Sequence, residues 1–244
     1  DSSMSTTGNS TNFGCFYGVG VGPGDPELLT LKALRVLQEV PLICTPRSET
    51  SQESYALDIV RDYLDEQRQE IIRIPFPIDD EAGAAAVWRS AADTIGDHLA
   101  QGKDVAFITE GDPMLYSTFS YVLDSITSGY PEVTVEIIPG VSSVMAAAAS
   151  AGVPLVTHGQ RLVILPAVYG IDDLSEAIAN YDTIVLMKVN RTLLQALANL
   201  EQLGLAGKGI YVRRASTARE EVVRDLSKLS EEDLDYFSLL IIKR

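Results

Sequence analysis

Apolar positions recur along the chain in short runs that alternate with stretches of helical period, the pattern of strands interleaved with helices. Phe16–Gly20 reads as an apolar strand. Asp25-Pro26 supplies an N-cap and a proline at the first helical position. That predicts a helix to about Glu39 with Leu28, Leu31, Leu34 and Leu37 on its buried side. There follow a strand at Leu42–Thr45, a helix at Glu53–Gln67, a strand at Glu70–Phe76 and a longer helix at Asp80–Ala100. Val105–Thr109 is the next strand, Pro113 opens a helix to about Ser128, and Thr134–Ile138 is a strand before an Ala-rich helix from about Ser142. Five strands alternating with helices predict a mainly parallel sheet covered on both faces.

Gly152-Val153-Pro154 through Gly159-Gln160 is the best linker in the chain. Beyond it come strand Leu162–Leu165, helix Asp172–Asn180, strand Thr183–Val189, helix Thr192–Leu203 and strand Ile210–Arg213. Glu221–Asp225, a short helix near Glu231 and a strand at Leu239–Ile242 close the sequence. The expected organisation is a lead-in over residues 1–14, an α/β module over 15–154 and a smaller mixed-sheet α/β module over 155–244. The lead-in lacks the basic and apolar regions of a signal peptide and reads as disordered. The long uncharged stretch from Ile137 to Thr157 is interrupted by Pro139-Gly140 and Pro154, which reads as a strand end and a buried helix rather than a membrane span.

Charge divides the chain in the same place. Of 244 residues, 34 are acidic and 19 basic, net −15. Residues 1–154 hold 22 acidic and 8 basic side chains, whereas residues 155–244 hold 12 and 11. So acidic a surface disfavours nucleic acid and anionic membranes but leaves room for a small anionic ligand on a local basic cluster. Cys15 and Cys44 lie in or beside apolar runs without metal-ligand spacing, so a reducing, cytoplasmic setting is expected, and two histidines offer no metal site.

In an open α/β sheet, ligands bind beyond the carboxyl ends of the strands. Three loops there carry unusual chemistry. Gly18-Val19-Gly20-Val21-Gly22-Pro23-Gly24-Asp25-Pro26 approaches a dinucleotide fingerprint, but Pro23 replaces its last glycine and Asp25 occupies the helix start where a pyrophosphate would sit. A tight turn without ligand is the alternative. Thr109-Glu110-Gly111-Asp112-Pro113 offers two carboxylates suited to a cationic or hydroxyl-rich ligand, or else Asp112 caps the next helix. Pro139-Gly140-Val141-Ser142-Ser143 presents hydroxyls and helix-start amides to a carboxylate, or else a plain N-cap.

Taken together, Gly-x-Gly-Pro-Gly-Asp-Pro-x-Leu-Leu-Thr, Glu-Gly-Asp-Pro and Ile-Pro-Gly-Val-Ser-Ser resemble the tetrapyrrole methylases, enzymes that use S-adenosylmethionine in corrin and sirohaem synthesis. The resemblance runs from Tyr17 to the C-terminus. Glu110-Gly111-Asp112-Pro113-Met114-Leu115-Tyr116-Ser117-Thr118-Phe119 and Cys44-Thr45-Pro46-Arg47 look most like the precorrin-2 C20-methyltransferases, acting on precorrin-2 or cobalt-factor II. The resemblance implies two α/β domains with the cofactor in the cleft between them, in a homodimer. It implies cofactor contacts at Pro23, Glu110, Gly111, Asp112, Leu115, Ser142, Ser143, Met187 and Ala215, the last where several relatives have glycine.

Methyl transfer from a sulfonium needs alignment of nucleophile, methyl and sulfur, which lowers a barrier by ~7–11 kcal/mol. It needs neither a metal nor a covalent enzyme intermediate. A proton must afterwards leave C20. Tyr116, expected on the helix after Asp112, is the first residue to assist and Glu110 the second; an aromatic core role is the alternative for Tyr116. His158 reads as a solvated loop residue and His98 as surface. Arg47, Lys188, Arg191, Arg213, Arg214 and Arg219 are the bases expected to meet the eight substrate carboxylates, unless they are ordinary solvated charges. Competing readings are diphthine synthase or ribosomal-RNA ribose methyltransferase on the same fold. From another class come an NAD-binding oxidoreductase and a non-catalytic nucleotide-sensing module.

Overall fold

The computed structural model describes residues 12–48, 54–76, 81–166, 171–187, 193–230, 232, 235 and 237–244. The chain forms two compact units. One contains the chain up to Val21 together with Leu29–Gly140; the other contains Gly22–Leu28 and Val141–Arg244.

The first unit is built on five parallel strands, β1 (Phe16–Gly20), β2 (Leu42–Ser48), β3 (Glu70–Phe76), β4 (Val105–Thr109) and β5 (Val135–Ile138), in the order β3-β2-β4-β1-β5. Its helices are α1 (Leu31–Glu39), α2 (Tyr55–Val60), α3 (Glu81–Ala100) and α4 (Phe119–Gly129). Side chains alternate across the sheet, as a strand requires. Val105 and Phe107 pack with Trp88, Ile95 and Phe119 from α3 and α4, whereas Ala106 and Ile108 pack with Val36, Leu37 and Leu57 from α1 and α2. β4 is buried along its whole length, which explains its unbroken apolar run.

Two helix starts and one helix end differ from the sequence expectation. The helix predicted from Pro26 is a single 3-10 turn, Pro26–Leu28, and α1 starts at Leu31. The Asp25 carboxylate spends itself on the Glu27 amide at 2.9 Å, and Thr30 supplies a fresh cap by accepting from the Ala33 amide at 3.0 Å. The buried face of α1 is therefore Ala33, Val36 and Leu37, and Leu31 is 87% exposed. The helix expected to continue to Gln67 shortens to α2 and a 3-10 turn at Arg61–Tyr63. The helix expected from Pro113 begins only at Phe119, because Tyr116 adopts a left-handed backbone (φ 49°) that no helix accommodates.

In the second unit, strands β6 (Leu162–Pro166), β7 (Thr183–Met187), β8 (Gly209–Arg213), β9 (Glu221–Val223) and β10 (Ser238–Lys243) form a sheet ordered β6-β7-β10-β8-β9. Only the β6–β7 pair is parallel. α5 (Ser143–Ala151), α6 (Ile171–Asn180) and α7 (Leu193–Gln202) accompany it, around a core that includes Leu174, Leu186, Leu200, Tyr211 and Leu240. The stretch 141–154, grouped by sequence with the first module, packs here, with α5 against β8. Among the described residues no helix is long and apolar enough to cross a membrane.

Candidate functional site

In the first unit, the carboxyl ends of β1, β4 and β5 meet through bare backbone. A Cβ at Gly20 would lie 2.6 Å from the Gly111 oxygen and 2.7 Å from the Gly140 nitrogen. A Cβ at Gly140 would lie 2.1 Å from the Gly111 oxygen, and Gly111 itself has φ 63°. Only glycine serves at these contacts. The Val21 amide donates to the Thr109 carbonyl at 2.9 Å, tying the loop after β1 to that after β4.

Asp112 locks the third side of this junction. One carboxylate oxygen accepts from the Met114 amide at 2.8 Å and the other from the Gly140 amide at 3.0 Å. Asp112 therefore caps a turn rather than the expected helix, and it ties the loop after β4 to that after β5. Glu110 and Leu115 are half-buried beside it. Tyr116, expected on a helix, stands instead in the strained loop before α4 and is 41% exposed. The Thr109 hydroxyl is buried without a hydrogen-bond partner at the end of β4. Arg47 lies half-buried in the C-terminal part of β2, two residues beyond buried Thr45, whose hydroxyl is bonded to that of Ser54.

In the second unit, Pro23 is buried in the segment Gly22–Leu28. Ser142 caps α5 by accepting from the Val144 amide at 3.2 Å, and Ser143 is the first helical residue. Met187 is buried at the end of β7. Ala215 is 6% exposed and sits between Arg214 (φ 46°) and Ser216 (φ 68°). With Tyr116, these are the three non-glycine residues with positive φ among the described residues, each in or beside a loop that carries a predicted site residue. Ser216 accepts from the Asp25 amide at 3.0 Å, so the loop after β8 is fastened to the segment carrying Pro23.

Two of the predicted substrate bases are already engaged with acids. Arg213 is paired with Glu221 directly across the β8–β9 ladder. Arg214 donates to Asp235 at 2.7 Å and lies over the Phe237 ring at 5.2 Å. Lys188 and Arg191 lie outside the described residues. Arg219 and His158 are exposed. His98, expected at the surface, is half-buried with its Nδ1 unpartnered. Perturbed acids sit elsewhere. Burial, then the bonded Cys15 thiol, pushes the Tyr17 phenol up to about 12, and burial pushes the Cys44 thiol up to about 12. Among the described residues no group of three or more His, Cys, Asp or Glu is arranged to hold a metal.

The family model of the tetrapyrrole (corrin/porphyrin) methylases matches residues 15–230. The chain belongs to the tetrapyrrole methylases. A probable cobalt-precorrin-2 C(20)-methyltransferase from Methanocaldococcus jannaschii is 41% identical over 232 residues, covering 93% of this chain and 95% of the relative. The cobalt-precorrin-2 C(20)-methyltransferase of Salmonella typhimurium is 36% identical, covering 95% and 97%. Among solved structures, uroporphyrin-III C-methyl transferase from Thermus thermophilus, complexed with S-adenosyl homocysteine, superposes with a TM-score of 0.65 at 25% identity, covering 94% and 92%.

The side chains of this tetrapyrrole methylase suit the cofactor of the family. A carboxylate such as Glu110 has the chemistry to accept from hydroxyls or to face a sulfonium, and amides and hydroxyls such as those at the start of α5 have that to hold a carboxylate. Two residues that matter to the loops escaped the sequence reading, Ser216 and Glu220 as hydrogen-bonding partners, whereas Gly20 and Gly140 lie in loops it singled out. The two glycines carried a signal, since each stands at a predicted strand end. Ser216 and Glu220 lie in an ordinary polar stretch, and only the fold reveals their partners.

Proposed function

We propose that this methylase transfers a methyl group from S-adenosylmethionine to C20 of the precorrin-2 skeleton in its cobalt-containing form, a step of cobalamin synthesis. The observation that carries the reading is the match, over nearly the whole of both chains, to two relatives bearing that name. Pro23, Glu110, Gly111, Leu115, Ser142, Ser143, Met187 and Ala215 hold the cofactor, and Asp112 shapes the loops that do so. The cofactor supplies an electrophilic methyl on a sulfonium, and the protein's task is orientation.

Tyr116 and Glu110 share a loop in which an exposed phenol and a carboxylate flank the Asp112 turn, which supports their assisting loss of the C20 proton. Arg47, Lys188, Arg191, Arg213 and Arg214 meet substrate carboxylates. Arg213 and Arg214 would exchange Glu221 and Asp235 for the substrate. The working form is a cytoplasmic homodimer that binds no nucleic acid, which light scattering and a binding assay with ribosomal RNA test.

The deciding experiment incubates the protein and S-adenosylmethionine with cobalt-factor II or with metal-free precorrin-2 and follows product mass. One added methyl on the cobalt form supports the proposal. Methylation of the metal-free form alone reassigns the substrate, and methylation of neither overturns it. A thermal-shift comparison separates the oxidoreductase reading: S-adenosylhomocysteine raises the melting temperature by mass action, and stabilisation by NAD alone would refute the proposal.

A further inference from the structure

We infer that Glu220, through Ser216, is a positioning residue that holds three cofactor-bearing segments of the second unit in register. The inference rests on the proposed cofactor site and deepens it. Ser216 is bonded at both of its polar groups. Its amide donates to Glu220 Oε1 at 2.8 Å, and its hydroxyl accepts from the Asp25 amide at 3.0 Å. The same Glu220 oxygen accepts from the hydroxyl of Ser150 on α5. A single chain of hydrogen bonds, Asp25–Ser216–Glu220–Ser150, therefore spans sequence separations of 191 and 70 residues.

Each end of this chain leads to a residue assigned to the cofactor. Asp25 lies two positions from Pro23. Ser150 belongs to the helix whose first turn carries Ser142 and Ser143. Ser216 is adjacent to Ala215. The left-handed backbone at Ser216 is one that a residue with a side chain adopts reluctantly, and something must hold it there. The Glu220 carboxylate does so with a charge-assisted acceptor aimed at the strained residue's own amide. Further bonds from the Thr217 hydroxyl to the Arg214 carbonyl at 2.7 Å, and from the Glu220 amide to the Thr217 carbonyl at 3.1 Å, close the loop into a compact turn.

Calorimetric titration of S-adenosylhomocysteine into the full chain tests this without relying on turnover. Glu220→Ala is expected to raise Kd about tenfold, the worth of one charge-assisted hydrogen bond. Glu220→Gln keeps an acceptor oxygen and is expected to bind within about twofold of wild type by the same measure. Ser216→Gly keeps the left-handed backbone but removes the hydroxyl, and is expected to weaken binding less than Glu220→Ala. Glu201→Ala, an acid lost from the exposed face of α7, serves as control with unchanged Kd. A Glu220→Ala protein that melts earlier yet binds with wild-type Kd overturns the inference, as does equal weakening in Glu220→Ala and Glu220→Gln. Wild-type protein that fails to bind S-adenosylhomocysteine overturns the cofactor reading itself, a result distinguishable because it needs no variant.

Discussion

Gly140→Ala puts the backbone junction of the first unit to a direct test. The new methyl would stand 2.1 Å from the Gly111 oxygen, whereas even a favourable carbon–oxygen contact needs about 3.3 Å, so the two loops must part by about 1.2 Å. Overpacking of this kind costs about 1–3 kcal/mol. The same displacement stretches the 3.0 Å bond from the Gly140 amide to Asp112, and a hydrogen bond to a charged group contributes about 1.5–3 kcal/mol. The two losses share one movement, so their combined cost is about 3 kcal/mol rather than the full sum. At about 2–4 °C per kcal/mol for a chain of this size, the melting temperature falls by about 6–12 °C. Circular dichroism melts measure it, beside two glycines where a Cβ meets only open space. Gly129→Ala, inside α4, should stabilise by about 0.5 kcal/mol, and Gly152→Ala, at φ 65°, should cost about 1–2 kcal/mol from its left-handed backbone alone. A Gly140→Ala protein that melts no earlier than Gly152→Ala would refute the packing argument.

Other outcomes follow from the same geometry. Tyr116→Phe should lower kcat about a hundredfold with unchanged S-adenosylhomocysteine affinity, and full activity would end the proton-transfer role. Arg47→Ala should raise the KM for the tetrapyrrole about tenfold and leave cofactor affinity alone, the loss of one charged hydrogen bond; unchanged kinetics would remove Arg47 from the substrate site. Thr109→Val replaces the unpartnered buried hydroxyl by a methyl of like shape and should stabilise by about 1 kcal/mol; lower affinity for S-adenosylhomocysteine in that variant would show that the hydroxyl serves the ligand. Alkaline stability should be flat to about pH 9 and then decline towards pH 12, because folded Tyr17 and Cys44 keep protons to about pH 12 that the unfolded chain releases near 10 and 9.0. Urea midpoints across that range check it, and a Tyr17→Phe/Cys44→Ala protein with an equally steep decline contradicts the assignment.

The strands were legible because their signal is strong. β3 and β4 coincide with their predicted spans; β4, buried along its whole length, leaves an unbroken apolar run, whereas β3, at the edge of the sheet, shows as Ile and Phe positions broken by exposed Arg73. The helix starts were less legible, and each failure has a chemical cause. Asp25 and Asp112 both precede proline, which reads as cap plus first turn, but each carboxylate is engaged by an amide two residues on. Asp112 is also engaged by Gly140, 28 residues away, which no local pattern encodes. Tyr116 gave no hint of its positive φ, because nothing in a tyrosine favours it. The basic cluster was visible as composition, yet the cross-strand pairing that gives Arg213 to Glu221 depends on the register of β8 against β9.

The seven residues Gly22–Leu28 leave the first unit directly after β1 and complete the second, before the chain returns for α1. Because of this detour, neither unit is encoded by one continuous stretch of the sequence. A fragment beginning at Val141 would carry all of β6–β10 and still lack the Asp25 amide that Ser216 accepts. During synthesis the reverse holds: the segment Gly22–Leu28 emerges more than a hundred residues before its partners and must wait for them. Its contacts close among the last, so the loop that presents Pro23 is assembled only when the chain is nearly finished. Premature termination, even late in the second unit, thus removes support from a loop encoded at the beginning.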